Sequence, residues 1–117
     1  MTLDFKRIAL APDYVAGSDG RIVKVRGRGA EERDKVMRVH DNGRGYMKVK
    51  LTVGGMRIMF YVHRLVCEAF HGLPPDYESD PANVRHLNGD PGDNRADNLR
   101  WGTVEENMRD RERYARG

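Results

Sequence analysis

The stretch that decides the fold is residues 84–107, which read VRHLNGDPGDNRADNLRWGTVEEN. It opens with a short apolar–polar run that ends at His86 and continues through a loop of Asn, Asp and Gly residues. A second short run follows over residues 98–101. Asn, Asp and Gly are the residues that tight turns need, so we expect the two short runs to pair as a hairpin.

A helix is predicted directly after this hairpin. Thr103 and Glu106 stand at the spacing of a capping box, so the helix should begin just after Thr103 and run to about Tyr114. Asn107 lies in its first turns and would be brought back toward His86. A base and an oxygen-donating amide beside a tight hairpin suit metal-assisted cleavage of a phosphodiester.

The chain ahead of this stretch predicts an α+β fold built from β-hairpins and one short helix. Residues 46–53 alternate in polarity, and Gly54-Gly55 predicts a two-residue turn. The returning strand then presents a matching apolar face, made of Met56, Ile58, Phe60 and Val62. Residues 63–70 (HRLVCEAF) change to helical spacing, and the glycine and prolines of residues 72–75 end that helix.

The N-terminal part predicts a smaller hairpin. Asp19-Gly20 separates Tyr14-Val15 from residues 21–26, which favours a turn between two strands. Residues 27–35 (GRGAEERDK) are rich in glycine and charge, and we expect a mobile loop there. Residues 36–40 are a short strand candidate, and residues 41–45 are a predicted turn.

Length and charge indicate one compact domain with a polyanionic partner. The chain has 117 residues and a net charge of +3. Residues 1–60 hold 13 Lys and Arg against 7 Asp and Glu, whereas residues 61–117 hold 8 against 11. A basic half is typical of proteins that contact a polyanion, and an acidic half is compatible with a divalent cation. Ordinary solvated surface explains the same charges about equally well.

Cysteine usage and hydropathy predict the compartment. Cys67 is the one cysteine, so a disulfide within the chain and a cysteine-rich zinc site are both excluded. We expect its thiol to be buried as a small apolar group. No apolar run approaches the roughly 20 residues that span a bilayer. The sequence therefore predicts a cytoplasmic, intracellular protein that does not contact a membrane.

Hydrolysis of a phosphodiester needs a deprotonated water, neutralised phosphorane charge and a stabilised leaving oxygen. His86 is the candidate general base, because a histidine pKa lies near working pH. A lone histidine is more often only a hydrogen-bonded hairpin residue. Asn98 would bond across the loop and hold its shape, or be an ordinary turn residue. Asn107 would offer its amide oxygen to a cation, or be a solvated helix-surface amide.

In this combination the sequence resembles the HNH endonucleases, in particular the phage-encoded and homing type. Residues 84–107 resemble the HNH motif itself. Residues 43–75 (GRGYMKVKLTVGGMRIMFYVHRLVCEAFHGLPP) resemble the strand–strand–helix lead-in of these proteins. Residues 14–25 (YVAGSDGRIVKV) resemble the short DNA-binding element often found ahead of it.

The resemblance implies a ββα-metal fold and a division of the chain into two parts. Residues 1–35 would be an N-terminal β-hairpin DNA-binding element with its mobile loop, and residues 36–117 the nuclease domain. It also implies that His86 is the general base, that Asn98 orders the loop and that Asn107 is a metal ligand. The implied cofactor is Mg²⁺ or Mn²⁺, and the implied location is a bacterial host of a phage.

One position departs from the family pattern. In well-studied members an Asp or His that binds the metal directly precedes the base, whereas this chain has Arg85, which cannot ligate a cation. Asp110 is the first candidate substitute, since it lies at i+3 from Asn107 on the same helix face. Asp90 in the loop is the second. Alternatively, the phosphate and waters hold the metal, or activity is weak or absent. Arg85 itself would suit a clamp on the scissile phosphate.

DNA is the predicted partner, bound through the exposed faces of the basic hairpins. Contacts of that kind give affinity without sequence choice. The rival interpretations are a DNA-binding module that has lost cleavage and an accessory subunit of a larger nuclease or packaging machine. A homodimer would allow both strands to be cut. The candidate DNA contacts are Arg21, Lys24, Arg26, Lys48, Lys50 and Arg57.

Overall fold

The computed structural model of the chain describes residues 3–25, 35–74, 83–103, 105–106 and 108–109. Within these ranges, nine strands form three antiparallel sheets around one α-helix, which confirms the predicted α+β class. The elements are β1 Phe5–Ile8, β2 Ala11–Gly17, β3 Ile22–Lys24, β4 Lys35–Val36, β5 His40–Asp41, β6 Met47–Val53, β7 Met56–Tyr61, α1 Val62–His71, β8 Asn83–His86 and β9 Leu99–Gly102.

The N-terminal sheet has the order β1-β2-β3-β4. Its β2–β3 hairpin turns through Asp19-Gly20, as the sequence predicts, with Val15 opposite Val23. Strand β1 was not expected, because its FKRI sequence has no apolar alternation and three of its four residues are exposed. Most of the predicted mobile loop, residues 27–34, lies outside the described residues, and Lys35 belongs to β4.

The middle sheet contains the predicted hairpin. Strands β6 and β7 pair from Lys48 opposite Tyr61 to Val53 opposite Met56, with Gly54-Gly55 as the turn. One face of β6 is buried, and Val49 and Leu51 are fully covered. The matching apolar face predicted for β7 is exposed at Met56, Ile58 and the neighbouring Met59. Because β7 is the edge strand of this sheet, the core covers β6 and leaves β7 largely in water.

The prediction of a single strand over residues 36–40 is wrong. Lys35–Val36 pairs with β3 in the N-terminal sheet, whereas His40–Asp41 pairs with β6 in the middle sheet. The chain changes sheets at residues 37–39. The five-residue run VMRVH contains no turn residue to signal that change, which depends on which distant strand each half meets.

Helix α1 joins the three sheets into one core. It begins at Val62 directly after β7 and ends at Gly72, whose φ of 82° closes the last turn. Its buried face is formed by Val62, Leu65, Val66 and Cys67, and this face packs on β1, β6 and β9. Burial raises the pKa of the Cys67 thiol to about 12, so it behaves as a small apolar group. None of the described helices is long and apolar enough to cross a membrane.

Candidate active site

His86 ends strand β8, and the hydrogen bond of its imidazole selects the tautomer. The residue is 4% exposed, and its Nε2 lies 2.9 Å from Asn94 Oδ1. An amide oxygen only accepts hydrogen bonds, so Nε2 carries the proton and donates a hydrogen bond to Asn94 Oδ1. Nδ1 therefore keeps the lone pair. This is the tautomer that a general base needs if Nδ1 faces the attacking water.

The surroundings of His86 hold the imidazole neutral at neutral pH. Burial lowers its pKa, while the hydrogen bond to Asn94 and the charges of Asp90 and Asp93 act in the opposite direction. The net shift is downward from the usual 6.5. A neutral ring can take a proton, and the two carboxylates would favour the imidazolium that results.

Two aromatic rings contact this imidazole and a third lies behind one of them, and sequence reasoning missed all three. The ring centroid of His63 lies 5.3 Å from that of His86, and that of Tyr46 lies 5.9 Å away, both edge to face. Tyr61 stacks on His63 at 5.2 Å. Desolvation is the main reason why the pKa of His63 falls to about 3, with His86 a smaller contribution. These residues lie 23 to 40 positions from His86, in the middle hairpin and at the start of α1, so no local pattern joins them to it.

Asn98 ties together the loop that follows His86. Its Oδ1 accepts a hydrogen bond from the Asn88 backbone N–H at 3.1 Å, and its Nδ2 donates to Asn88 Oδ1 at 3.0 Å. The same Nδ2 donates to the backbone oxygen of Asp93 at 2.9 Å. Asp93 in turn pairs with Arg95 at 2.8 Å, which lowers the pKa of this carboxyl to about 2. The buried amide thus closes the loop beside Asn94.

Two turns from other sheets brace this loop at positions where only glycine fits. A Cβ on Gly20 would lie 2.8 Å from the Asn94 backbone oxygen, and one on Gly45 would lie 2.9 Å from Pro91 Cγ. Both glycines have positive φ, 93° and 89°. The N-terminal hairpin therefore packs against the residue that holds His86, although its sequence predicted only a DNA-binding element.

Arg85 meets the start of the C-terminal helix. Its Nη1 lies 3.4 Å from Glu106 Oε2, while Glu106 Oε1 accepts the Thr103 backbone N–H at 3.0 Å. Thr103 Oγ1 accepts the Glu106 N–H at 3.1 Å, which confirms the predicted capping box. Residues 105, 106, 108 and 109 are helical, and the continuation to Tyr114 lies outside the described residues. Arg85 is thus ion-paired with Glu106 in this structure.

The described residues do not assemble a metal site. No group of three or more His, Cys, Asp or Glu side chains among them converges on one point. The Glu106 carboxylate is already shared between Arg85 and the Thr103 amide. Asp90 accepts the backbone N–H of Gly92 at 2.9 Å. The two predicted ligands, Asn107 and Asp110, lie outside the described residues. The described residues alone therefore do not complete a ligand set for a divalent cation.

The basic residues of the middle hairpin share one face with the aromatic rings. Lys48 and Lys50 alternate with the buried residues of β6, and Arg57 lies opposite Thr52 on the same side. We call the contacting rings of Tyr46, Tyr61, His63 and His86 the ring cluster. Tyr61 lies opposite Lys48 and so connects this face to the ring cluster. We call Lys48, Lys50 and Arg57 the basic face.

The other predicted DNA contacts lie in the N-terminal sheet. Arg21 is exposed and pairs with Asp19, and Lys24 lies 5.9 Å from the Tyr14 ring centroid. Arg26 lies outside the described residues. Arg21 and Lys24 therefore lie in a different sheet from the basic face.

Comparison with known proteins identifies the class. Residues 60–109 match the family model described as HNH endonuclease. The whole structure resembles that of the HNH homing endonuclease I-HmuI, from work on its DNA binding and cleavage, with a TM-score of 0.73 and 26% sequence identity. The match covers 96% of this chain and 59% of that one, so the present chain spans little more than half of its length. No curated protein sequence matches significantly.

The segment from the end of β7 through α1 and the β8–β9 hairpin to the C-terminal helix therefore matches the HNH endonuclease family. The family resemblance predicted from residues 84–107 is confirmed.

Proposed function

We propose that this protein is a DNA endonuclease that hydrolyses phosphodiester bonds with His86 as general base. The hydrogen bond between His86 Nε2 and Asn94 Oδ1 is the observation that carries the proposal. It leaves Nδ1 of a buried, neutral imidazole as the proton acceptor, within a segment that matches HNH endonucleases. Its similarity to a homing endonuclease that binds and cleaves DNA supports DNA as the substrate.

In this proposal Nδ1 of His86 takes a proton from the attacking water. The bond from water oxygen to phosphorus forms while the bond to the leaving oxygen breaks; the proton of the water stays on the imidazole, and the leaving oxygen takes a proton from solvent. The positive charge of the His86 imidazolium is stabilised by Asn94 Oδ1 and by the nearby carboxylates of Asp90 and Asp93. Asn98 keeps these groups in place through its three bonds across the loop.

The basic face would bring the duplex to this centre. Lys48, Lys50 and Arg57 would contact backbone phosphates, which gives affinity without sequence readout. Arg21 and Lys24 would extend the contact along the N-terminal sheet, which the division at residue 35 assigns to DNA binding. Lys48 and Tyr61 are paired across the hairpin. A DNA strand bound on the basic face would therefore reach the ring cluster.

HNH nucleases generally use a divalent metal ion, and we propose Mg²⁺ or Mn²⁺ here. The ligands would be Asn107 and Asp110, with Asp90 as the alternative to Asp110. This part of the proposal rests on the family and on helical spacing, since the described residues alone do not provide a site.

Nicking of supercoiled plasmid tests the proposed activity. Purified protein is incubated with Mg²⁺, with Mn²⁺ or with EDTA, alongside His86→Ala. We expect relaxed or linear DNA with metal only, and none with the variant. Supercoiled DNA that stays intact in every condition, although bound, would contradict the proposal.

A DNA-binding module without cleavage is the second candidate, and the Arg85–Glu106 pair favours it. Where related enzymes have a metal ligand, this chain has a cation that neutralises the nearest carboxylate. Arg85→Ala separates the two functions. If Arg85 is a phosphate clamp, its removal would lower cleavage, whereas if it forms only a structural pair, its removal would lower only stability, and only slightly. Persistent binding without nicking in wild type would establish the module.

A further inference from the structure

A cleft of about 280 Å³ opens beside the ring cluster, and the proposed mechanism does not use it. It lies between the β5–β6 turn, the junction of β7 with α1, and the start of β8. We call it the Arg44 cleft. The side chains that matter for the argument are Asn42, Arg44, Tyr46, Tyr61, His63 and Asn83.

The Arg44 cleft shares walls with the catalytic centre. Tyr46 and His63 line it, and the ring of each also contacts the ring of His86. A group held in the cleft would therefore be separated from the proposed base by a single side chain. In a polymer substrate, the unit at that distance from the reacting phosphate is the neighbouring nucleotide.

The charge of the cleft suits an anion. Arg44 is exposed, and no residue in the described ranges forms an ion pair with it. The described lining contains no Asp or Glu. Nearby Asp41 does not line the cleft and forms no ion pair with Arg44; its Oδ1 accepts the backbone N–H groups of Gly43 and Gly45 at 2.7 and 2.9 Å. A planar guanidinium without a competing carboxylate is a strong phosphate ligand.

Arg44 is also preorganised by its turn. Its backbone N–H donates to Asn42 Oδ1 at 2.8 Å, and Gly45 packs against Pro91 of the loop that follows His86. The turn that presents the guanidinium is thus fixed relative to the proposed base. A site that is held in advance spends less binding free energy on ordering itself.

The opposite wall offers a surface for a base or sugar. Tyr61 is 42% exposed and stacks on His63, which backs its ring. Nδ1 of His63 is buried and has no hydrogen-bond partner among the described residues. Aromatic faces of this kind bind nucleobases with little sequence preference. The cleft is small for a ligand site and has room for one nucleotide, not for a duplex.

We propose that the Arg44 cleft binds the nucleotide next to the scissile bond, with Arg44 on its phosphate and Tyr61 against its base. The proposal rests on the proposed nuclease function and adds the subsite that positions the cut strand. It requires that this nucleotide leaves the duplex stack locally. Arg44 and Tyr61 would then set KM for DNA, while His86 sets kcat.

Binding of thymidine 3′,5′-bisphosphate tests the subsite without any cleavage. This probe carries one base between two phosphates and contains no phosphodiester. Its Kd is measured by NMR titration of wild type, Arg44→Ala, Arg44→Lys, Tyr61→Ala and Tyr61→Phe. Arg7→Ala is the matched control, because Arg7 lies at a separate cleft beside Glu68, Ala69 and Gly72, near the other end of α1.

We expect Arg44→Ala to weaken binding about 10-fold to 100-fold, and Tyr61→Ala about 10-fold. Arg44→Lys and Tyr61→Phe should keep most of the affinity, and Arg7→Ala should keep all of it. Equal Kd for wild type and Arg44→Ala would overturn the proposal, as would absence of binding to wild type.

Cleavage kinetics separate this inference from the proposed function. With DNA as substrate, Arg44→Ala should raise KM about 10-fold and leave kcat within threefold. If wild type never cleaves DNA but binds the probe through Arg44, the nuclease function fails and the nucleotide site stands. If DNA is cleaved and neither KM nor Kd depends on Arg44, the subsite fails alone.

Discussion

Nε2 of His86 donates a hydrogen bond to Oδ1 of Asn94 across 2.9 Å, and both residues are buried. Asn94 is itself held by the N-terminal hairpin, since Gly20 packs on its backbone oxygen and the Ser18 backbone oxygen accepts the nearby Ala96 N–H at 2.9 Å. The proposed base is therefore oriented by a residue that a separate sheet supports.

Changing Asn94 should alter the pH dependence of cleavage. Its hydrogen bond raises the pKa of His86 against the larger lowering by burial, so Asn94→Ala should move the acid limb of kcat/KM to lower pH. The rate on the plateau should fall about tenfold or more, because the tautomer is no longer fixed. Asn94→Asp should move the limb to higher pH, since a carboxylate favours the imidazolium. Coincident profiles for all three proteins would show that Asn94 does not act on the base.

Acid should destabilise the fold through His63. Burial lowers its pKa to about 3 from 6.5, so the unfolded chain binds more protons between these values. The free energy of unfolding should therefore fall as pH drops below about 6.5. Between pH 7 and 5 this group alone accounts for about 2 kcal/mol. His63→Phe keeps a ring and should remove that loss in urea denaturation, whereas His40→Ala, at an exposed site, should not. An unchanged pH dependence in His63→Phe would refute this account.

The basic face should determine the salt dependence of DNA binding. Removing one phosphate-binding cation should reduce the slope of log K against log salt by about 0.9. The combined variant Lys48→Ala, Lys50→Ala and Arg57→Ala should therefore flatten the slope by up to about 2.7. Fluorescence anisotropy at several salt concentrations measures it, with Arg7→Ala as a single-charge control. A slope equal to that of wild type would mean that this face does not touch DNA.

Asp110→Asn should raise the Mg²⁺ concentration needed for half-maximal cleavage, because a carboxylate binds this cation more strongly than an amide. Asp90→Asn is the matched comparison, since Asp90 is the alternative ligand. Metal titrations of both variants decide between them. Normal metal dependence in Asp110→Asn together with impaired Asp90→Asn would move the second ligand into the loop.

The sequence predicts those elements whose signal is local. The β6–β7 hairpin follows from strict alternation around Gly54-Gly55, and α1 follows from a change to helical spacing. The capping box of Thr103 and Glu106 is likewise a short-range pattern. Strand β1 and the division of residues 36–40 between two sheets depend on distant partners, so local polarity does not show them.

The candidate site divides in the same way. His86 and Asn98 are found because a single motif contains both. Asn94 belongs to that motif too, but among so many turn-forming residues its role as a hydrogen-bond acceptor has no separate signature. His63, at the start of α1, and Tyr46, just before β6, reach His86 only through the tertiary packing of these elements around the end of β8. Rings that meet in this way cannot be assigned to a site before the fold is known.

Single-turnover cleavage of a DNA duplex by wild type and His86→Ala tests the central claim most directly, with binding of the same duplex measured in parallel. Loss of a general base should lower the rate about 10²-fold to 10⁴-fold, and DNA affinity should stay within threefold, since the base acts on water. A His86→Ala rate within threefold of wild type would contradict the assignment of His86 as the base.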